Sequence, residues 1–289
     1  MATLKQIRQR IKSAKNIRQI TNAMKLVAAA RLKKAQDRVL EARPYSDKMR
    51  EFMLSISEAG ELPAHPLLSK REHVENYAVI LITAERGLAG SYNTNLIRKC
   101  GDFFKTTAGR PKLIAVGKKG ALFFGKRGIE LVHQHTVPTS GARYEDAVAV
   151  MDKAIDMFTK GEVDAVYLCY SKFFSPIRQV PMVVQMLPIE PPQREENAPK
   201  AGHKEYTFEP SPAELLGILL PKYVLTLTYQ AMVESTASEF GARMTAMTSA
   251  TDNAGKMINK LTLVANRERQ AAITKEILEV VGGAEALKG

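Results

Sequence analysis

The sequence predicts a mixed α+β and α/β fold. Two long helices, one from each end of the chain, would pair as an antiparallel coiled coil, with an α/β domain inserted between them. Three observations point there. Apolar residues recur at steps of three and four over residues 3–58. They do so again after Lys222, where no proline occurs as far as Val281 and the only glycines are Gly241 and Gly255. Between the two stretches the pattern changes to short apolar runs that alternate with amphipathic ones. The boundaries fall at 1–60 for the first coiled-coil helix, 61–210 for the central α/β domain and 211–289 for the second coiled-coil helix.

In the first helix the seam is Leu4, Ile7, Ile11, Ala14, Ile17, Thr21, Met24, Ala28, Leu32, Ala35, Val39 and Ala42. It is narrow and rich in small residues, as in a coiled coil rather than a helix lying on a globule. No glycine occurs before Gly60, and Pro44 is predicted to bend or divide the helix. Residues 61–75 read as a linker.

Tyr77–Thr83 then reads as a buried strand, followed by a glycine turn and a helix through Phe104. Lys112–Gly117 is a second strand, leading into a helical KKGALFFGKRG; IELVHQH is a third. RYEDAVAVMDKAIDMFTKG is helical, and EVDAVYLCYSKF and RQVPMVVQMLPI are two more strands. Strands alternating with helices predict a largely parallel, Rossmann-like sheet. Glu190–Pro212 is a polar, proline-rich exit loop.

In the last stretch Phe240, Met244, Met247, Thr251, Ala254, Ile258, Leu261 and Ala265 repeat the three–four spacing. About 60 helical residues make a rod on the order of 90 Å. VGGA is predicted to stop it. Ala28, Ala29, Ala30, Ala250 and Ala254 would let the two helix axes approach closely. Gly241 and Gly255 either weaken the helix, by about 1 kcal/mol each relative to Ala, or permit close contact with the first helix. The sequence leaves both readings open. Two independent amphipathic helices packed on the central domain are the alternative to the pair; their length is against it, because a ~140-residue domain is roughly 30–40 Å across and much of such a rod must project.

The 289-residue chain has a formal net charge of +12. The excess is local: residues 1–60 carry 14 Lys/Arg against 5 acids, residues 222–289 carry 8 against 7. This implies a localised electronegative partner. A helix such as Ile17–Gln36 could serve as a cleaved targeting peptide, a nucleic-acid arm, a membrane-surface helix or one strand of a shaft gripped by acidic partners. Its apolar pattern runs on past any plausible cleavage site, which disfavours the first. No apolar run approaches the ~18 residues of a membrane span.

Chemical motifs are near misses. Gly120–Arg127 matches G-x-x-x-x-G-K but lacks the Ser/Thr that binds Mg²⁺, and Leu122, Phe123 and Phe124 occupy its loop positions as core-filling residues. Thr83–Asn93 follows a strand and precedes a helix, yet holds only Gly87 and Gly90 and reads as a structural turn. Cys100 and Cys169 are far apart in sequence and read as buried, inert thiols. His133 and His135 lack Cys or acidic company and read as structural or exposed. No catalytic residue, metal site or cofactor is assigned.

Three stretches, NIRQITNAMKLVAAARLKKAQ, TAERGLAGSYNTNL and the run from Arg243 to Ala284, together resemble the γ-subunit family of F-type ATP synthases. The last is the most specific, with Ile273, Thr274, Glu276, Glu279, Gly283 and Ala284 in the C-terminal signature. The resemblance covers the whole chain. Ala89 stands where the family often has Cys, and the cysteine-bearing insertion of chloroplast members is absent, so thiol regulation is not expected. No extra presequence is visible, which favours a bacterial or a mature organellar member.

The resemblance implies a non-catalytic central rotor shaft without a cofactor. Its partners would be the α and β subunits of the catalytic ring, the ε subunit and the c-ring of the membrane sector. Proton flow would turn the shaft and drive each β subunit through open, loose and tight states. The protein would lie peripherally on the cytoplasmic face of the bacterial inner membrane, attached only through the complex. An acidic lever of the β subunits would meet the cationic surface around Arg18, Lys25, Arg31, Lys33 and Lys34. Met24 and Lys25 match the lever contact; Arg269, Gln270, Thr274 and Glu276 match the region that meets a β-subunit loop; Tyr206 and Glu209 match a foot near the c-ring and ε. Taken singly, each of these residues fits a solvated helix face or an ordinary coiled-coil contact equally well.

Two rivals stand beside this expectation. One is a basic coiled-coil protein that binds nucleic acid, supported by net charge but lacking interleaved aromatics and a nucleic-acid fold motif. The other is a nucleotide-dependent enzyme built on the α/β insert.

Overall fold

The computed structural model describes residues 3–58, 65–190 and 212–286. Its elements are α1 (Leu4–Glu58), a 3-10 turn (Pro66–Leu68), β1 (Asn76–Ile82), α2 (Tyr92–Thr106), β2 (Arg110–Val116), α3 (Lys118–Gly125), β3 (Glu130–His135), α4 (Tyr144–Thr159), β4 (Ala165–Ser175), β5 (Arg178–Leu187) and α5 (Pro212–Ala286). The chain divides into two compact units. One is Met1–Val27 with Met244–Gly289; the other is Ala28–Arg243.

In the larger unit the five strands form one sheet in the order β3-β2-β1-β4-β5. The first four are parallel, and β5 returns antiparallel along the edge of β4. The alternation of a strand puts one set of β1 side chains on each face. Ala78, Ile80 and Ile82 enter a core shared with α4, Met49 and Met53 of α1 and Leu216–Met232 of α5. Tyr77, Val79 and Leu81 enter a second core with Leu96 and Cys100 of α2 and Phe124 of α3. Both faces of the parallel strands are covered, which is why these strands read as continuous apolar runs.

Where the linker enters β1, burial acts to raise the Asp164 carboxyl. Amide donors from Asn76 and Glu75, at 3.0 and 2.9 Å, and the Arg71 guanidinium at 2.9 Å together outweigh it, so the group sits below its ordinary value.

Two expectations are corrected. Pro44 does not divide the first helix, which runs unbroken to Glu58. Pro44 is exposed, so a carbonyl one turn earlier that loses its partner can turn to water. The last helix starts at Pro212 and passes through Pro221. It continues past Gly282 and Gly283 to Ala286, so VGGA is not its stop. One 18-residue window within Leu215–Ala284 reaches a mean hydropathy of 1.2, and half of that window is buried within the chain, as in a core helix.

Gly241 and Gly255 have different roles. A Cβ on Gly241 would lie 3.2 Å from the Cα and the carbonyl oxygen of Pro176 in the β4–β5 turn, so this glycine admits a hairpin rather than the first helix. At Gly255 a Cβ would meet only the Arg18 side chain of α1, at 3.7 Å.

Candidate partner-binding surface

The smaller unit joins the start of α1 to the later part of α5. Ile7, Ala14 and Thr21 are buried from one helix, Met247 and Ala254 from the other. Thr251 Oγ1 lies 2.8 Å from Thr21 Oγ1, and the Thr21 hydroxyl donates onward to the Ile17 carbonyl at 2.9 Å. Arg18 faces Gly255. Numbers rise along one helix as they fall along the other, so the pair is antiparallel. The two threonines satisfy one another at a seam where an unpaired hydroxyl would be costly. Ile17 departs from the predicted seam: it is 54% exposed, with Ile20 at 59%, and both belong to an outward apolar face.

Lys15, Arg18, Gln19, Asn22, Thr251 and Ile258 line a shallow groove of about 430 Å³ that contains cations and no carboxylate. Met24 and Lys25 are half-buried on α1, beyond this groove. Arg269, Gln270, Thr274 and Glu276 are all exposed on α5, and the Thr274 hydroxyl donates to the Gln270 carbonyl at 3.0 Å. The two groups do not come together: Arg269 lies 18 residues past Thr251 along α5, about 27 Å. In the larger unit Arg31 sits 5.8 Å from the Phe240 ring centre, and Lys33 pairs with Asp37 at 3.0 Å, so these two members of the cationic surface are partly engaged within the chain. Tyr206 and Glu209 lie outside the described residues.

The antiparallel register shows what the polar candidates hid. Leu4 is 17 residues before Thr21, which brings the start of α1 level with about residue 268 of α5. From Arg269 to Ala284 every residue of α5 is exposed. Yet Ile273, Ile277, Val280 and Val281 make an apolar stripe at helical spacing, 48–72% exposed, with Leu278 beside it at 65%. They and Glu276 border a groove of about 240 Å³. A stripe of this kind marks an interaction surface. The sequence shows the apolar spacing of this stripe, and the register of the helix pair shows that α1 does not reach it.

The near-miss motifs prove to be structural. Gly120 lies inside α3, where its N–H donates to Thr83 Oγ1 at 2.9 Å and a Cβ would meet Leu81 Cδ2 at 2.8 Å. Phe124 is buried and Phe123 partly so, but Leu122 is 59% exposed and fills no core. In the β1–α2 turn, Asn93 Oδ1 accepts from Ala84 N at 2.9 Å and Gly87 O accepts from Arg243 at 3.3 Å. Arg243 also pairs with Glu239 at 2.6 Å; burial pushes that carboxyl up against the pull of the arginine.

The chain runs from β1 outward through β2 and β3, then crosses to β4 and β5, so the topological switch lies between β1 and β4. In open parallel sheets a ligand binds in the crevice beyond such a switch. Here α5 bonds to the part of β4 that extends past β1. Ser235 Oγ accepts from Ser171 N at 3.2 Å, Ser238 Oγ donates to Ser171 O at 3.1 Å, and Glu234 accepts from Phe173 N at 3.4 Å. The chain's own helix therefore covers the end of β4 at this crevice.

Cys100 and Cys169 are both buried and reduced, and packing makes them neighbours. A hydrogen bond to Cys169, then burial, pushes the Cys100 thiol up, away from the reactive thiolate. His135 Nε2 lies 2.9 Å from Asp146 Oδ1 and its ring stacks on His133, whose pKa is lowered by burial first, then by His135 and Lys153. Among the described residues no group of three metal-ligating side chains occurs.

Residues 3–287 match the family model described as ATP synthase. The "ATP synthase gamma chain" of Pelotomaculum thermopropionicum is 46% identical over 288 residues, covering 100% of both chains. That of Brevibacillus brevis is 47% identical over 287 residues, covering 98% of each. Among solved structures, a chain of the Euglena gracilis mitochondrial ATP synthase in an assembly of OSCP, F1 and c-ring superimposes with a TM-score of 0.69 at 17% identity, covering 98% of this chain and 94% of that one. At that identity the likeness is one of fold. With its own length matched throughout by relatives sharing nearly half their residues, the chain belongs to the ATP synthase gamma chain family.

Proposed function

We propose that this chain is the central-stalk rotor subunit of an F-type ATP synthase, carrying torque between a proton-driven c-ring and the catalytic sites on the β subunits. Its partners on this reading are the α and β subunits, the ε subunit and the c-ring. It contributes no catalytic group of its own. It is peripheral, held at the cytoplasmic face of a bacterial inner membrane through the complex. Residues 1–60 and 211–289 serve as the shaft and residues 61–210 as the body.

The observation that carries this is the end-to-end relatedness to gamma chains at 46–47% identity. Physical chemistry agrees with it. Two packed helices resist twist better than one. The exposed Arg269, Gln270, Thr274 and Glu276 are read as contacts with a β-subunit loop, and Met24 and Lys25 as the seat of an acidic lever. Exposed ion pairs contribute about 0–1 kcal/mol each and are screened by salt. Weak contacts suit a sliding bearing, whereas a tight one would stall it. The bare stripe Ile273–Val281 supplies an apolar surface for an enclosing sleeve.

The test is reconstitution. The purified chain should hydrolyse no ATP alone, and should support assembly and turnover with α and β subunits. Truncation after Ala265 should weaken coupling or assembly while leaving the sheet folded by circular dichroism. A truncated chain that coupled proton flow to ATP synthesis as well as the full one would remove the role given to the end of α5.

A further inference from the structure

The β4–β5 hairpin ends in a feature the rotor reading does not use. Its turn, Ser175–Arg178, exposes Ile177 at 84%, and Phe174, just before the turn in β4, is 51% exposed. Arg178 sits 4.9 Å and Lys172 5.6 Å from the centre of the Phe174 ring. From Ala165 to Ile189 the sequence has no acid, and among the described residues neither cation has a carboxylate partner. The turn is held in shape: Arg178 N donates to Ser175 Oγ at 3.1 Å, and the Gln179 side chain donates to the Ser175 carbonyl at 3.2 Å. It is also anchored, because Gly241 of α5 lets Pro176 approach to a distance that a side chain would crowd.

We propose that this tip is a docking point for an acidic protein segment bearing apolar side chains, supplied by the α or β subunits; the proposal rests on the function assigned above. A rigid apolar knob flanked by two cations that have no carboxylate partner among the described residues is complementary to carboxylates set beside apolar groups. An anionic bilayer would also attract the cations. Membrane binding, however, scales with inserted apolar area, and two side chains on a rigid turn offer little.

The experiment uses the complex of full-length chain with α and β subunits. The variant Ile177→p-benzoylphenylalanine is irradiated, adducts are mapped by mass spectrometry, and the same label at Leu122, exposed on α3, is the control. Phe174 carries the label should the first variant not assemble. The expected adduct joins the tip to an acidic segment of α or β, and its yield falls by about fivefold in the Lys172→Glu, Arg178→Glu double variant, since like charges now face each other. Assembly with no adduct above the control, or an adduct on an acid-free segment, overturns the docking point and leaves the rotor reading intact. An adduct to lipid, when the complex is mixed with vesicles of phosphatidylglycerol and phosphatidylcholine, replaces the protein partner with a membrane. Failure of the unmodified chain to assemble with α and β overturns both readings.

Discussion

Helix α5 lives in two environments. Between Leu216 and Gly241 it is a core helix: Leu216, Leu220, Val224, Met232 and Ala237 are at most 1% exposed, and even its polar Thr228, Ser235 and Ser238 are buried and bonded. Between Arg269 and Ala284 the same helix has no buried residue. The two stretches share one periodicity. In the first, tertiary burial supplies the stability. In the second, only local terms remain within the chain, such as good helix formers and the Lys275–Glu279 pair at 3.6 Å. A helical pattern therefore declares a helix without declaring what covers it.

Substitutions sharpen this contrast. The largest expected effect is Met232→Ala, which should cost about 2–5 kcal/mol through the cavity it leaves. Leu278→Ala, at a 65% exposed position, should change the stability of the isolated chain by less than about 0.5 kcal/mol. Urea unfolding of the full chain measures both, and equal losses would break the comparison.

Next come the two glycines. Gly241→Ala should destabilise by about 1–3 kcal/mol, because it pushes on the backbone of Pro176. Gly255→Ala should stabilise by up to about 1 kcal/mol, since only the flexible Arg18 is near. Opposite signs in the same unfolding experiment are the expected result.

A smaller effect concerns acid. The Asp164 carboxyl is held below its ordinary value of 3.8, so its contribution is fully present above pH 3.8 and is lost as pH falls through the lower, folded value. Asp164→Asn should flatten the stability profile below about pH 4 and leave its shape at neutral pH unchanged, as urea midpoints across pH would reveal.

The smallest is Gly282→Ala with Gly283→Ala. Both sites face open space, so the change should raise helicity at the end of α5, by about 1 kcal/mol of local propensity each. Amide hydrogen exchange would register this, and the global unfolding midpoint should not move.

These contrasts also mark how far the sequence could be read. Strand and helix positions were legible because Tyr77–Thr83 and Lys112–Gly117 are apolar on both faces and the flanking helices are not. The seam residues of both long helices were legible from their three–four spacing, Ile17 excepted. What local pattern could not supply was long-range pairing. Cys100 and Cys169 are 69 residues apart and meet only through the packing of α2 on β4. Local rules also overstated their force: Pro44, Gly282 and Gly283 sit inside helices that they were expected to bend, divide or stop, and those helices run on through them. Of the candidate surface, the polar residues followed from resemblance, whereas the apolar stripe at Ile273–Val281 required knowing the register of the helix pair.

The hydrogen bonds that join Glu234, Ser235 and Ser238 to the backbone of β4 do more than close a crevice. They act as splines between an axle and its hub. A helix held only by greasy side chains has no directional contact to oppose slip about its own axis, whereas bonds to Ser171 and Phe173 must break before this one can turn against the sheet.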